Sequence, residues 1–345
     1  MPVLVVNAGS SSLKLALVGG SDEALWSREL DAPRAQIEQD EVVAALEDLP
    51  AAPDAVGHRI VHGGERFRQA VVIDEAVEAE LRDLVALAPL HQPKSLAAVD
   101  AVTRAIPTVP AVACFDTAFH ATLPPEAATY ALPREWRERY GLRRYGFHGL
   151  SHAYAARAAG DARRVVTCHL GAGASLCAVL DGRSVDTTMG FTPLEGLVMA
   201  TRSGSVDPGL LLWLQRHEGV SADDMTDALE HESGLLGLAG TGDMRELLAR
   251  EDDEARLALA VYVHRARAGV AAMVASLGGL DALVFTGGVG ERSARVRQLV
   301  CEGLEHLGVG TPGSHVEVLT VTAREDIEIA RQVRALLTAD GVENL

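Results

Sequence analysis

The sequence predicts an α/β protein of two domains, and three observations carry that prediction. The chain has 345 residues, more than one hydrophobic core normally organises, so division into two domains is the expected response. Two strand–turn–strand units of similar design occur, at residues 3–18 and 165–180. Helical periodicity lies between and after them, over 75–87 and 255–277.

The first unit, VLVVNAGSSSLKLALV, is two apolar β-prone runs around a Gly/Ser turn, a hairpin whose tip offers backbone groups and hydroxyls. The second, VVTCHLGAGASLCAVL, repeats the design. Aligning Ser12-Leu13 with Ser175-Leu176 superimposes strand, small-residue turn and strand, which suggests internal duplication. A third glycine-rich segment, LVFTGGVGERSARVRQLV at 283–300, reads as a buried strand passing through Gly287, Gly288 and Gly290 into an Arg-rich amphipathic helix. A turn followed by a helix N-terminus suits an anion. No G-x-x-x-x-G-K-[ST] occurs, and no G-x-G-x-x-G opens a helix after a strand, which disfavours the Walker and Rossmann folds. Pro-punctuated loops at 87–96 and 121–133 replace any low-complexity linker, so the junction belongs in folded loops near 116–125. The expected division is 1–117 and 118–325, with a terminal helix over 326–345 returning to the first domain.

A formal net charge of −17 argues against a nucleic-acid partner, because that affinity rests on clustered Lys and Arg. The same charge repels a nucleotide, so an ATP site must concentrate positive charge locally through arginines, backbone amides or a divalent cation. Cys114, Cys168, Cys177 and Cys301 show no Cys-x-x-Cys spacing and read as small core residues in a reducing, cytoplasmic setting. The apolar run Val3–Val6 is too short for a signal-peptide core and lacks a basic leader. The apolar helix over 255–277 is broken by His264, Arg265 and Arg267, so no membrane span is expected.

The polar islands, in order, are N-A-G-S-S-S-L-K at 7–14, G-H-R-I-V-H-G-G-E at 57–65, L-A-P-L-H-Q-P at 87–93 and F-D-T-A-F-H at 115–120. They continue with R-R-Y-G-F-H-G-L-S-H at 143–152, H-L-G-A-G-A-S at 169–175 and D-T-T-M-G-F-T-P-L-E-G-L-V-M-A-T-R-S-G at 186–204. G-T-G-D-M-R at 240–245 and F-T-G-G-V-G-E at 285–291 complete the series. Nine islands in this order resemble the acetate and butyrate kinase family over essentially the whole chain. The chain is shorter than typical members, with length missing between Lys14 and His58 and between His148 and His169. The resemblance implies an actin-like ATPase fold: two ribonuclease-H-like domains with a nucleotide cleft between them. It also implies reversible phosphoryl transfer from ATP to acetate, Mg2+ with Mn2+ as a substitute, ADP and acetyl phosphate as products, and a homodimer.

Acetate is already ionised at neutral pH, so its attack on the γ-phosphorus requires no base to create the nucleophile. Positioning and electrostatic stabilisation remain as the sources of rate. The resemblance assigns catalysis to Asp116, His148, Arg202 and Arg59, with Arg59 on the carboxylate or phosphoryl group and Arg202 opposite. A guanidinium fork suits either oxyanion. A surface salt bridge is the usual fate of arginine, but both lie beside glycines or hydroxyls in apolar surroundings, where a spectator charge is costly. Val61, Leu90, His91, Phe147 and Pro193 are implied to line the acyl pocket; core filling is the competing role for the apolar ones. On an extended strand Val61 would share the face of Arg59.

The implied nucleotide contacts are Lys14, Ser10, Ser12, His169, Leu170, Gly171, Ala172, Gly173, Asp243, Met244, Arg245, Gly288, Val289, Gly290, Glu291 and Arg292. The implied metal positions are Asn7, through its carbonyl oxygen, and Glu325; Asp116 more plausibly organises Mg2+, its waters and Arg59 than moves a proton. Three departures from the family pattern stand out. Ala172 replaces the asparagine of H-L-G-N-G, Arg292 replaces another asparagine, and A-R-E-D-I at 323–327 departs from T-x-E-E, leaving a solvated helix start as the plain reading of Glu325. The rival functions are a propionate or other short-chain acyl kinase of the same family and a non-catalytic actin-like nucleotide sensor.

Overall fold

A computed structural model describes residues 1–9, 12–31, 39–88 and 92–340. The described chain forms two compact units: Met1–Ala121 with Gly149–Tyr154 and Arg324–Leu345, and Thr122–His148 with Ala155–Ala323. The expected second domain held all of 118–325, whereas Gly149–Tyr154 packs with the first unit. Leu150 explains this, being buried in that unit's core beside Val112 and Cys114.

The first unit is built on strands β1 (Val3–Ala8), β2 (Ser12–Val18), β3 (Ala24–Asp31), β4 (Ala55–Ile60), β5 (Val71–Val72) and β6 (Ala111–Phe115). Their order is β3-β2-β1-β4-β6-β5. β1 and β2 form the expected antiparallel hairpin, with Asn7 opposite Lys14, while β1, β4 and β6 run parallel. The period-2 alternation of β1 divides the core between two faces. Leu4 and Val6 pack with Val42, Ala45, Ala98, Ala101 and Val102 of the helices Gln39–Glu47 and Gln92–Ala105. Val3 and Val5 face Ile329, Ala330 and Val333 of the helix Glu325–Asp340. Each such fully buried aliphatic side chain contributes about 1.5 to 3 kcal/mol. Gly57 lets that helix lie against β4, since a Cβ there would come within 2.5 Å of Ile329.

The second unit repeats the pattern with β7 (Arg164–Leu170), β8 (Ala174–Leu180), β9 (Arg183–Thr187), β10 (Ala282–Thr286) and β11 (Glu317–Thr320), ordered β11-β10-β7-β8-β9. Again a hairpin, β7–β8, is antiparallel and β7, β10 and β11 run parallel. The helix Asp253–Leu277 is long and apolar enough to cross a membrane by length and composition. It is the core helix of this unit, packed on β7, β8 and β9 and burying Ala258, Tyr262, Ala266, Val270 and Met273. Asp252 caps its start through the Ala255 N–H, and Gly278, at φ +65°, ends it.

The glycine-rich segment 283–300 differs from the single strand–turn–helix expected of it. After β10 the glycines themselves coil into a short helix, Gly287–Arg292, and Ser293 caps a second helix, Ala294–Cys301, by accepting from the Val296 N–H. The sharp exit from β10 requires glycine at 287, where φ is +78° and a Cβ would lie 2.8 Å from the Leu170 carbonyl oxygen.

His58 shares a strand face with Val56 and Ile60, both in the apolar core, and burial pushes its imidazole down to about 3. Neither ring nitrogen meets a hydrogen-bond partner among the described residues. A histidine depressed in the folded state takes up its proton more readily when unfolded. Stability is therefore full above the ordinary value near 6.5 and falls as the pH drops below it. From this one residue the loss between pH 7 and pH 5 is about 2 kcal/mol. Denaturant titrations at the two pH values should show that difference, and His58→Leu should remove most of it; an unchanged difference in the variant would assign the acid sensitivity elsewhere.

Candidate active site

Three parallel strands bring the first set of polar side chains to one edge of the first sheet. Val6 pairs with His58, and Arg59 with Cys114, so Asn7, Arg59 and Asp116 all arrive at the carboxyl ends of β1, β4 and β6. Open α/β sheets bind ligands at that edge. Arg59 is the hub. Its Nε and Nη2 donate to Asp116 Oδ1 at 3.0 Å and Oδ2 at 2.5 Å, and its Nη1 donates to Asn7 Oδ1 at 3.2 Å. Glu325, at the start of the helix Glu325–Asp340, accepts from Asn7 Nδ2 at 2.9 Å and lies 3.7 Å from Arg59 Nε.

Burial opposes the Arg59 charge, but the Asp116 and Glu325 carboxylates outweigh it and hold the guanidinium protonated above its already high ordinary value. Asp116 is 1% exposed and Glu325 16%. Glu325 is thus no solvated helix start; it is tied into the cluster. Among the described residues no group of three His, Cys, Asp or Glu gathers as a metal site. The Asn7, Asp116 and Glu325 oxygens are nonetheless hard donors. They fit Mg2+, which keeps waters and substrate oxygens and asks little of the protein.

In the second unit the partners assemble around the β7–β8 tip. Gly171 N donates to the Gly173 carbonyl at 2.9 Å, and Ala200 N donates to the Ala172 carbonyl at 3.0 Å, tying the tip to the loop that carries Arg202. His148 adopts a left-handed φ of +56°. Its ring stacks on His169 at 4.3 Å between centroids, and its Nδ1 lies 3.0 Å from Ser175 Oγ. A Cβ at residue 173 would come 3.3 Å from His148 Nε2 and 3.8 Å from Arg202 Nη1, so the glycine admits both side chains. Arg202 Nη1 donates to the Pro193 carbonyl at 3.0 Å, and its Nε lies 3.5 Å from Glu230 Oε2. Burial lowers the Arg202 guanidinium below its ordinary value, against the pull of Glu230. Thr286 pairs with His169 across β10 and β7, which brings Gly288 beside Gly171, and a Cβ at Gly288 would meet nothing within 4 Å. This open, amide-lined pair of glycine turns is suited to an anion.

The family model described as the acetokinase family matches residues 30–327. The chain belongs to the acetokinase family. An acetate kinase from Nostoc punctiforme is 42% identical, with 98% of this chain and all of that protein covered, and one from Deinococcus deserti is 45% identical with 98% of each covered. The Nostoc alignment runs over 404 positions against 345 residues here, so that relative has segments this acetokinase lacks. Among solved structures, the acetate kinase of Porphyromonas gingivalis superimposes with a TM-score of 0.88 at 35% identity, covering 97% of this chain and 99% of that one. A propionate kinase from Francisella tularensis gives 0.87 at 34%, covering 96% and 98%. The fold is the two-domain actin-like ATPase fold.

The other residues expected from the acetokinase motifs occupy varied settings. Ser10, Leu90 and His91 lie outside the described residues. Ser12 Oγ donates to Glu29 at 2.6 Å, while Lys14 is exposed on β2. β4 stops at Ile60, so strand alternation does not carry Val61 to the Arg59 face; Val61 is buried just beyond the strand end. Phe147 and Leu170 are buried almost completely, and Met244 is a core residue. Asp243 caps the helix Met244–Ala249 and pairs with Arg245 at 2.5 Å, and these bonds hold its carboxyl down at about 2. The Glu291 carboxylate accepts from Ala323 N at 2.7 Å, within the same unit, and Val289, Gly290 and Arg292 lie on the short helix with Arg292 exposed.

Ser175, Glu230 and a brace of Tyr130, Arg144 and Glu195 escaped the sequence reading. In that brace Glu195 accepts from Tyr130 OH at 2.5 Å and from Arg144 Nη2 at 2.8 Å, beside the turn that carries Pro193. Ser175 had a faint signal in the hairpin alignment. Glu230 had none, sitting in an ordinary acidic helix.

Gly149 is fixed by Asp116. Its N–H donates to the Asp116 carbonyl at 2.9 Å, and a Cβ would lie 2.1 Å from that oxygen. Gly149→Ala should therefore displace the 116 backbone, costing roughly 1 to 3 kcal/mol of stability. It should also lower kcat far more than a thermal shift of that size explains. Wild-type kcat in a folded Gly149→Ala enzyme would show that this contact is dispensable.

Proposed function

We propose that this chain is an acetate kinase that transfers the γ-phosphoryl of ATP reversibly to acetate, giving acetyl phosphate and ADP by direct in-line displacement. The observation that carries the reading is the partly buried Arg59 held by Asp116, Asn7 and Glu325. A guanidinium so fixed is pre-oriented for a carboxylate or phosphoryl oxyanion. An acetate oxygen forms the new bond to the γ-phosphorus while the bond to the β,γ-bridging oxygen breaks and ADP leaves with the electron pair. No proton must move to begin the step, so Asp116, bound through both oxygens to Arg59, acts as an organiser. Arg202 and His148, from the second unit, would meet charge developing on the equatorial oxygens, and backbone amides of the two glycine turns would take the ATP phosphates.

Mg2+, or Mn2+ in its place, would be held by Asn7 and Glu325 with Asp116 close by. It supplies charge neutralisation of the phosphates. Acetate is the preferred acid and propionate a weaker one, with Val61, Phe147 and Pro193 as apolar neighbours of the methyl. Relatives named for acetate and one for propionate support a small pocket whose discrimination is about 1 to 3 kcal/mol per methylene. The exposed apolar run Val206, Leu210, Leu212 and Trp213 supports a homodimer, which light scattering would read as twice 36.4 kDa. The free cysteines support a cytoplasmic setting.

Trapping acyl phosphate with hydroxylamine, in the presence of ATP and a divalent cation, should give most hydroxamate from acetate, less from propionate and least from butyrate. Butyrate outrunning acetate would overturn the substrate, and no hydroxamate from any acid would leave the nucleotide sensor. Exhaustive chelation should abolish turnover and added Mg2+ or Mn2+ should restore it. Arg59→Ala and Arg202→Ala should each lose about a hundredfold or more in kcat. A folded variant with near-parental kcat would remove that arginine from the reaction.

A further inference from the structure

The loop bearing Arg202 is bound on both sides to one short stretch of chain. Thr201 Oγ1 donates to the Glu230 carbonyl at 2.9 Å, Ser203 N donates to the Leu229 carbonyl at 3.1 Å, and Ser233 N donates to the Thr201 carbonyl at 2.9 Å. Gly234, at φ +63°, packs so closely that a Cβ would lie 2.6 Å from the Arg202 carbonyl oxygen. From the end of the helix Ala222–His231 the Glu230 carboxylate then reaches back to the guanidinium, 3.5 Å from Nε, with 13% of its side chain exposed. A carboxylate so sheltered needs a partner, and Arg202 is the cation that meets it.

We infer that Glu230 is a positioning residue for phosphoryl transfer, holding the Nε edge of Arg202 so that its other edge faces the reacting group. The Pro193 carbonyl fixes Nη1. With Nη1 hydrogen-bonded to the Pro193 carbonyl and Nε in an ion pair with Glu230 at 3.5 Å, the guanidinium plane has two anchors and little freedom to rotate, and Nη2 makes no hydrogen bond among the described residues. Preorganisation of this kind lowers the barrier because the donor need not be reoriented during reaction. Glu230 acts through orientation rather than charge, since a negative group near transferring phosphoryl oxygens opposes them. Glutamine, which keeps the acceptor oxygen and drops the charge, should therefore substitute well where alanine does not.

This inference rests on the role proposed for Arg202, and the experiment separates the two. Kinetics would be measured for Glu230→Ala, Glu230→Gln, Arg202→Ala and the Glu230→Ala/Arg202→Ala pair. Glu230→Ala should lower kcat on the order of tenfold, short of the hundredfold of a full ångström's misplacement, with the KM for ATP little changed. Glu230→Gln should stay within about threefold of the parent, and in the Arg202→Ala background Glu230→Ala should cost almost nothing more. If Glu230→Ala does not fold, Glu230→Asp, which withdraws the carboxylate by one methylene, replaces it in the same cycle with the same expected coupling. Equal losses in both backgrounds, or parental kcat in the alanine and aspartate variants, would overturn the positioning role. Parental kcat in Arg202→Ala would instead overturn the role of the arginine itself.

Discussion

The first unit turns on one electrostatic constraint: a guanidinium buried among two carboxylates and an amide oxygen. In a chain of net charge −17, cations that meet phosphate must be held where the surrounding acid cannot neutralise them indiscriminately. Arg59 is held by making the neutralisation local and geometric. Asp116 binds it through both oxygens, and Asn7 bridges it to Glu325. Two carboxylates against one guanidinium leave the cluster one negative charge in excess, a surplus that favours a divalent cation. Removing Arg59 would strand Asp116 in a nearly water-free site, and breaking such a pair costs about 3 to 5 kcal/mol. Loss of activity in an Arg59 variant therefore has to be read beside its stability.

Arg202 is held differently. It has one carboxylate at a looser distance, a backbone carbonyl and a thioether, and burial lowers its pKa below the ordinary value. A buried cation with less compensation gains more from an incoming anion. The two arginines are thus unequal in their partners: Arg59 is bound by a carboxylate through both its oxygens and by an amide oxygen, whereas Arg202 has one hydrogen-bonded carbonyl, a thioether and a carboxylate at 3.5 Å.

Much of this was legible in the sequence because it depends on local chemistry. The Gly/Ser tips between β-prone runs gave both hairpins, and the duplicated pattern led to two sheets of like topology. Arg59, Asp116, His148 and Arg202 were named because the motifs that hold them resemble those of the family. What escaped depends on contacts distant along the chain. That Gly149–Tyr154 belongs to the first unit follows from Leu150 filling that unit's core and Gly149 meeting the Asp116 carbonyl, fits no periodicity reveals. Val61 lies one residue beyond the end of β4 at Ile60, where strand alternation no longer fixes the direction of a side chain. The helix over 287–292 was hidden by its glycines, which read as a loop although the first is needed for a sharp turn and the others tolerate coiling. Glu230 was illegible in principle: its partner is an arginine one loop away, and its own helix has the composition of a solvated face.

The duplication explains how one topology carries unlike chemistry in its two copies. In each sheet a parallel trio, β1-β4-β6 or β7-β10-β11, presents its carboxyl ends beside an antiparallel hairpin. In the first copy those ends carry side chains that project charge, Asn7, Arg59 and Asp116. In the second, β7 and β10 end in glycine-rich turns that expose backbone amides, and the charge comes from Arg202 on a loop outside the sheet. A side-chain cluster can hold a small, hard cation and a carboxylate, because both demand fixed oxygen or nitrogen atoms at short range. An amide-lined turn suits a polyphosphate, whose charge is spread over many oxygens and is met by many weak dipoles. The glycines at 173 and 287 are the condition for this second arrangement. At 173 a Cβ would crowd His148, and at 287 it would strike the Leu170 carbonyl. A side chain at either position would fill the space that the imidazole and the backbone amides need, so the divergence of the two copies rests as much on deleted atoms as on added charges.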